Sequence, residues 1–137
     1  MLLLQTQQCQ NPDRDEFPTK NGEPADIYIE EFNFNGEPKR IAPWAVYIVD
    51  GKLIATATAD SKVYIWNEIP KENNTPPDIM LTANGMFGTP REIWSDGERL
   101  VIGDHNAKFN CEDSENCFGT VSGTFVWKEF PNYIDEG

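Results

Sequence analysis

The sequence predicts an all-β chain made from repeats of a four-stranded antiparallel sheet. The first observation is a repeated phrase: an apolar residue and Trp, then a polar residue, Glu, a bulky apolar residue and Pro. It occurs at Ile65–Pro70 and again at Val126–Pro131, and a shorter copy stands at Asp15–Pro18. The second observation is that no stretch shows sustained helical periodicity. A period of about 40 to 50 residues built from short strands is typical of the blades of a β-propeller.

The repeats divide the chain into three segments. Residues 1–32 form a partial blade, with the end of a third strand, a connector and an outer strand; residues 33–81 form a full blade; residues 82–137 form a second blade that lacks its outer strand and carries a loop insertion at 109–122. Because propellers usually have about 4 to 8 blades, the prediction is a β-propeller segment, an incomplete ring. Further copies of the chain would complete it, or the chain is a truncated piece without a function of its own.

The first strands are predicted from residue type. Asp26–Phe32 alternates apolar and polar residues, which predicts an outer strand, and Asn33–Pro38 is predicted to be a loop. Trp44–Val49 is rich in β-forming apolar residues, which predicts an innermost strand buried on both faces. Asp50 and Gly51 then predict a hairpin turn, because Asp-Gly readily adopts positive φ.

The later strands follow the same logic. In the full blade they are predicted at Leu53–Ala57, Val63–Trp66 and Ile79–Leu81. In the second blade they are predicted at Ile93–Ser95, Leu100–Gly103 and Phe125–Trp127. The recurrence of Trp66 and Trp127 at the same place in each blade favours a core role for both.

Two of these segments resemble the NHL-repeat β-propeller family in its bacterial-type variant. In that variant a third strand ending in Trp, as in Ile65–Pro70, is followed by Asn-Gly and a Pro-Ala-Asp segment, as in Asn21–Asp26. The resemblance covers roughly Phe17–Pro131. It implies the propeller fold and leaves the function open, because this fold hosts many unrelated activities.

Two functions are therefore weighed. The first is a binding or scaffold module that contacts a protein, peptide or glycan through ring-face loops. The second is a fragment of a metal-dependent enzyme, since some similar propellers are lyases or lactone hydrolases with a divalent ion in the central channel. The chain has one His and lacks serine nucleophile motifs and phosphate-binding glycine loops, which favours the first function and leaves enzymatic activity uncertain.

The charge and the cysteines limit the partners and the compartment. The formal net charge is −12, which repels phosphate backbones and anionic membranes, so neither nucleic acid nor a membrane is an expected partner. Cys111 and Cys117 bracket a short loop, and a disulfide between them is as plausible as two free thiols. A disulfide would suit an extracellular or periplasmic location, although this sequence holds no signal peptide.

Two groups of residues are candidates for a metal ion. Asp104 and His105, with Asn106 beside them, end a second strand, and His with Asp is a common ligand pair. The alternative is that Asp104 caps the turn through backbone N–H groups while His105 is merely exposed. The loop residues Glu112, Asp113 and Glu115 offer carboxylates that a divalent cation such as calcium would accept, or they form a solvated surface loop.

Other candidates could contact a ligand at the ring face. Trp44 and Trp94 lie near the inner strands and could stack on a sugar or peptide, although a core role is the favoured interpretation. Arg91 could present a cation to the central channel, or pair with a nearby carboxylate. Asp60 and Phe87 lie in predicted ring-face loops and complete the candidate ligand-binding set.

Overall fold

The computed structural model describes residues 17–109 and 121–135. Within these residues the chain is all-β, as predicted, with one short 3-10 turn at Thr58–Asp60. The strands are β1 Glu31–Phe34, β2 Glu37–Arg40, β3 Ala45–Val49, β4 Lys52–Ala57, β5 Lys62–Trp66, β6 Ile79–Leu81, β7 Pro90–Ser95, β8 Leu100–Ala107 and β9 Val121–Trp127. No helix in the described ranges has the length and apolar character needed to cross a membrane.

The strands form three antiparallel sheets in the described part of the chain. β1 and β2 form a hairpin, β3 to β6 form a four-stranded sheet in sequence order, and β7 to β9 form a three-stranded sheet in sequence order. The three sheets do not close into a ring among the residues that the structure describes. Within each sheet, strands that are joined by short turns run antiparallel, because a short turn cannot join parallel neighbours.

The first hairpin corrects two predictions. The predicted loop Asn33–Pro38 contains a tight turn in which Asn35 and Gly36 have φ values of 51° and 83°, so strands continue on both sides of it. The predicted strand Asp26–Phe32 is wrong over most of its length, because β1 begins only at Glu31.

The segment before β1 is held by side chains instead of a strand. The backbone N–H of Tyr28 donates to the Asn73 side chain at 3.0 Å, and that of Glu30 donates to the Asn74 side chain at 2.9 Å. These backbone donors are therefore satisfied by the connector after β5, so they are not available to a neighbouring strand.

The predicted turn at Asp50 and Gly51 is confirmed. Their φ values are 49° and 71°, and they join β3 to β4 with Val49 opposite Lys52. Both residue types tolerate positive φ, which matches the twist of a tight two-residue hairpin.

The main core lies between the two larger sheets. One face of the four-stranded sheet contributes Ile54, Val63 and Ile65, and the three-stranded sheet contributes Leu100 and Ile102. The opposite face of the four-stranded sheet is covered by the hairpin, in a second cluster made of Phe32, Ala55, Ala57, Tyr64, Trp66 and Met80. The four-stranded sheet is thus sandwiched between the hairpin on one side and the three-stranded sheet on the other.

The prediction that β3 is buried on both faces is wrong. Its residues alternate between half-buried and exposed, and Val46 and Ile48 are 64% and 65% exposed. β3 is an edge strand whose inward face contacts β7. The second cluster, beneath the hairpin, draws its fully buried residues from β1, β4, β5 and β6 and none from β3.

The second hairpin of the three-stranded sheet is longer than predicted. The ladder between β8 and β9 continues to the pair Ala107 and Val121, with an irregularity after Asp104. The last two residues of the predicted insertion at 109–122, Val121 and Ser122, therefore belong to β9, and residues 110–120 lie outside the described part.

Trp66 and Trp127 occupy equivalent positions, as the sequence repeat predicts. Trp66 is the last residue of β5 and pairs with Leu53, while Trp127 is the last residue of β9 and pairs with Leu100. Trp66 faces the hairpin and Trp127 packs against the core on the side of the four-stranded sheet. Each Trp therefore points toward the sheet that precedes its own in the chain.

The aromatic surroundings of the two Trp residues also repeat. The ring of Phe32 meets Tyr64 edge to face at 5.3 Å, and it meets Trp66 in the same way at 6.5 Å. The ring of Phe87 meets Phe125 edge to face at 4.9 Å and lies tilted 6.1 Å from Trp127. In both cases a Phe from the preceding segment fills the space beside the third strand, an arrangement favoured by the ring quadrupoles.

Candidate functional site

The start of β7 is fixed to the four-stranded sheet by three hydroxyl groups. Each donates a hydrogen bond to a backbone carbonyl oxygen of residues 88–91. The pairs are Thr56 to Arg91 at 2.8 Å, Thr58 to Pro90 at 2.6 Å and Ser61 to Gly88 at 2.7 Å. These bonds hold the strand that carries Arg91 in a defined position relative to β3 and β4.

Asp104 is a buried positioning residue. Its side chain is 3% exposed, and its two oxygens accept backbone N–H bonds from Gly88 and Thr89 at 2.9 Å and from Asn106 at 2.8 Å. Asn106 in turn donates to the Thr89 hydroxyl at 3.0 Å. The turn-capping interpretation is therefore confirmed, and both carboxylate oxygens are engaged by backbone donors.

His105 is exposed beside an open cleft. Its backbone N–H bonds the carbonyl oxygen of Thr89 at 3.3 Å, while its side chain faces outward, since successive strand residues point to opposite faces. The cleft has a volume of about 320 Å³ and is lined by Arg91, Glu92, His105 and Ser122, among others. Positively and negatively charged side chains therefore line this cleft.

Trp44 and Arg91 form a cation–π pair at the same edge of the stack. The guanidinium carbon of Arg91 lies 4.5 Å from the centroid of the Trp44 ring. Trp44 is 61% exposed, so the expected core role is wrong for this residue. Within the described ranges Arg91 forms no ion pair with a carboxylate, and its buried Nε has no hydrogen-bond partner there.

Trp94 is separate from this pair. It is 46% exposed on the outer face of the three-stranded sheet, so a core role is wrong for it as well. The Arg99 guanidinium lies 5.7 Å from its ring and also pairs with Asp96. Hydrogen bonds from Arg99 lower the pKa of Asp96 to about 2. Trp94 thus has charged neighbours at the turn end of the sheet, opposite to Trp44.

Phe87 and Asp60 both take part in contacts that stabilise the fold. Phe87 is 1% exposed inside the main core, so it is not accessible to a ligand. Asp60 ends the 3-10 turn and accepts a hydrogen bond from the Tyr64 hydroxyl at 3.3 Å. Burial, with the nearby Asp60 charge, raises the pKa of Tyr64.

The predicted acidic loop lies outside the described residues. It contains Glu112, Asp113, Glu115, Cys111 and Cys117. Within residues 17–109 and 121–135, no group of three or more His, Cys, Asp or Glu side chains could hold a metal ion.

The structure thus brings together three of the predicted ligand-contacting residues at one edge, namely Trp44, Arg91 and His105, which we call the ligand edge. The sequence analysis did not identify Glu92 or the hydroxyl groups of Thr56, Thr58 and Ser61, which we call the hydroxyl ladder. A signal for the ladder was present, because Thr56 is a polar residue at a core-facing position of an otherwise apolar strand.

Comparisons with protein-family models, with curated proteins and with solved structures gave no match.

A substitution at Gly88 tests how closely two backbone segments approach each other at the ligand edge. A Cβ at Gly88 would lie 1.8 Å from the carbonyl oxygen of Asn106, so one of the two backbones must shift. We expect Gly88→Ala to lower the free energy of unfolding by about 1 to 3 kcal/mol, as overpacking commonly does. Gly103→Ala is the matched control, because its closest contact is the flexible Glu92 carboxylate. Equal denaturation midpoints for the two variants would contradict the close approach.

Proposed function

We propose that this chain is a segment of an NHL-like β-propeller that acts as a binding or scaffold module for a protein, peptide or glycan. The observation that supports this most is the repetition of one arrangement. In both the four-stranded and the three-stranded sheet, the Trp that ends the third strand faces the preceding segment of the chain and packs beside a Phe of that segment, edge-on at Trp66 and tilted at Trp127. Such stacking of equivalent sheets is how repeat folds bury a continuous core.

The ligand edge is the surface proposed to bind. Trp44 presents an exposed aromatic face, Arg91 supplies a cation held against that ring, and His105 borders the adjacent cleft. Aromatic faces stack on sugar rings and peptide side chains, and arginine forms bidentate hydrogen bonds to carboxylates. The hydroxyl ladder and Asp104 hold this edge rigid, which limits the entropy lost on binding.

The metal-dependent enzyme alternative gains no support from Asp104. Its carboxylate already accepts three backbone N–H bonds, and no group of three or more His, Cys, Asp or Glu side chains in the described residues could hold a metal ion. The binding function is therefore the one that the arrangement of side chains favours.

A ligand screen tests the proposal. The wild-type chain is applied to a glycan array and a peptide-display library, and each ligand found is titrated against Trp44→Ala and Arg91→Ala. We expect each substitution to weaken binding about tenfold or more, because Trp and Arg anchors commonly dominate interface energies. Lys71→Ala is the control, since Lys71 is exposed in the connector after β5, at the other end of the strands. Ligands that bind all four proteins equally would contradict the assignment of the ligand edge.

A further inference from the structure

The pairing of the three-stranded sheet is interrupted twice at the end that carries the ligand edge. Between β7 and β8, residues 91–92 both lie opposite the single residue Gly103. Between β8 and β9, residues 105–106 both lie opposite Ser122. An extra residue of this kind is a β-bulge, and bulges commonly lie beside functional sites, where they redirect a side chain. Both bulges border the cleft of the ligand edge.

The four-stranded sheet has no such interruption. The pairing of β3 with β4 is continuous from Ala45 to Val49, and the pairing of β4 with β5 is continuous from Leu53 to Ala57. The two sheets otherwise share the order of their strands and the Trp at the end of the third strand. Because the regular sheet forms without bulges, the fold alone does not require them, and their cause lies in what the three-stranded sheet does at this end.

The floor of the cleft is a glycine. With Trp66 and Trp127 as the reference, Gly103 stands at the position that Thr56 has in the four-stranded sheet. Because Gly103 has no side chain, the Glu92 carboxylate lies against the backbone there, and a Cβ at Gly103 would be 2.8 Å from Oε2 of Glu92. A glycine inside a strand often marks a place where a ligand approaches the sheet closely. Gly103 therefore opens the cleft and sets the place of the Glu92 carboxylate.

The side chains around the cleft offer both hydrogen-bond donors and acceptors. The Glu92 carboxylate only accepts hydrogen bonds, the Arg91 guanidinium only donates them, and the Thr124 hydroxyl does both. Within the described residues, neither Glu92 nor Thr124 forms a side-chain hydrogen bond or an ion pair. The buried Nε of Arg91 has no partner there either. The cleft therefore contains polar groups whose bonding capacity the described part of the chain does not use.

A neutral ligand with several hydroxyl groups matches this set of side chains. Sugar hydroxyls donate to a carboxylate and accept from a guanidinium, so a sugar can bond both Glu92 and Arg91. An anionic ligand would meet the charge of Glu92, and a cationic ligand would meet that of Arg91. The formal net charge of −12 adds to the repulsion of anions. The aromatic face of Trp44, against which Arg91 is held, can stack on a sugar ring.

We infer that the ligand of this site is a neutral glycan, bound in the cleft by Glu92, Arg91 and Thr124 beside Trp44. The inference deepens the proposed function and rests on it, because it names which of the proposed ligand classes binds at the ligand edge. The cleft of about 320 Å³ lies at the lower end of the usual range for small-molecule sites, roughly 300 to 1,000 Å³. That size suits one sugar of an oligosaccharide.

Matched glycans and a charge-removing variant test the inference. The wild-type chain is applied to an array that carries neutral oligosaccharides and the same oligosaccharides extended with sialic or uronic acid, beside the peptide library. We expect binding to neutral glycans and weaker binding to their acidic counterparts. Glu92→Gln should weaken the binding of a retained neutral glycan about tenfold or more, because a hydrogen bond to a charged group is roughly twice as strong as one between neutral groups. Glu98→Gln removes the same charge from an exposed position at the opposite end of the sheet, so it should bind like the wild type.

Gly103→Ala tests the floor of the cleft. The added methyl group displaces the Glu92 carboxylate, so we expect a loss of glycan binding similar to that of Glu92→Gln. The denaturation midpoint should stay close to that of the wild type, because the displaced group is the end of a flexible side chain. Weaker binding at unchanged stability separates an effect on the cleft from an effect on folding.

The outcomes distinguish this inference from the proposed function. Retention of acidic glycans or peptides alone, or full glycan binding by Glu92→Gln and Gly103→Ala, would overturn the inference. If the retained ligands are peptides whose binding depends on Trp44 and Arg91, the inference fails and the proposed function stands. If no retained ligand depends on Trp44 and Arg91, both fail.

Discussion

Trp66→Ala is expected to lower the free energy of unfolding by about 3 to 5 kcal/mol, the usual cost of deleting a large buried aromatic side chain. Trp66 is fully buried and closes the second cluster against Phe32. Its indole N–H donates to the Thr75 carbonyl oxygen at 2.8 Å, so the substitution also leaves a carbonyl without its partner. Because domains are stable by only about 5 to 15 kcal/mol, the variant should be close to unfolded. Chemical denaturation measured by fluorescence and circular dichroism would quantify the loss.

Two variants separate the causes of that loss. Trp66→Phe removes the hydrogen bond and part of the ring system but keeps most of the apolar area, so its effect should be clearly smaller. Trp127→Ala should cost less than Trp66→Ala, because Trp127 is only partly buried. A Trp66→Ala protein as stable as the wild type would mean that the second cluster does not contribute to the fold.

Asp104→Ala is the second substitution with a large expected effect, a loss of about 3 kcal/mol or more in the free energy of unfolding. It removes the acceptor of three backbone N–H groups at a buried site. Hydrogen bonds to charged groups contribute about 1.5 to 3 kcal/mol each, and an unsatisfied buried donor costs about 1 to 3 kcal/mol. Denaturation midpoints with and without the substitution would measure the loss.

The matched control is Asp96→Ala. Asp96 also accepts backbone N–H bonds, from Glu98 and Arg99, and it pairs with the Arg99 guanidinium. It is exposed, however, so water can replace these bonds and its removal should change stability much less. Asp104→Asn should fall between the two, because the amide keeps one acceptor oxygen and turns a donor toward a backbone N–H. Equal losses for Asp96→Ala and Asp104→Ala would show that Asp104 is not the organiser of this edge.

Local features of the fold were predicted well because their causes are local. β4 and β5 were found from runs of β-forming residues, and the turn at Asp50 from the conformational tolerance of Asp-Gly. At Asn35 the same turn chemistry predicts a loop, because the flanking residues of β2 include Pro38 and are polar. Composition favours a loop there, and only pairing with β1 makes the segment a strand.

Burial was predicted poorly where it depends on what lies opposite. Trp44 and Trp94 have the composition of core residues, but which side of a sheet is covered depends on the neighbouring sheet. Asp104 could equally have been a ligand or a cap, and the choice depends on Gly88, which lies 16 residues away in the chain. The pattern of apolar and polar residues shows the two-residue period of a strand, but it does not show which residues the strand contacts in another sheet.

The direction in which the two larger sheets are stacked is tested most directly by nuclear Overhauser effects between aromatic rings. We expect cross-peaks from Phe32 to Trp66 and from Phe87 to Trp127, and none between Trp66 and Trp127, because each indole points toward the sheet before its own. Cross-peaks between Trp66 and Trp127 would mean that the sheets meet through their Trp-bearing sides, and that result would contradict the repeated, same-sense stack.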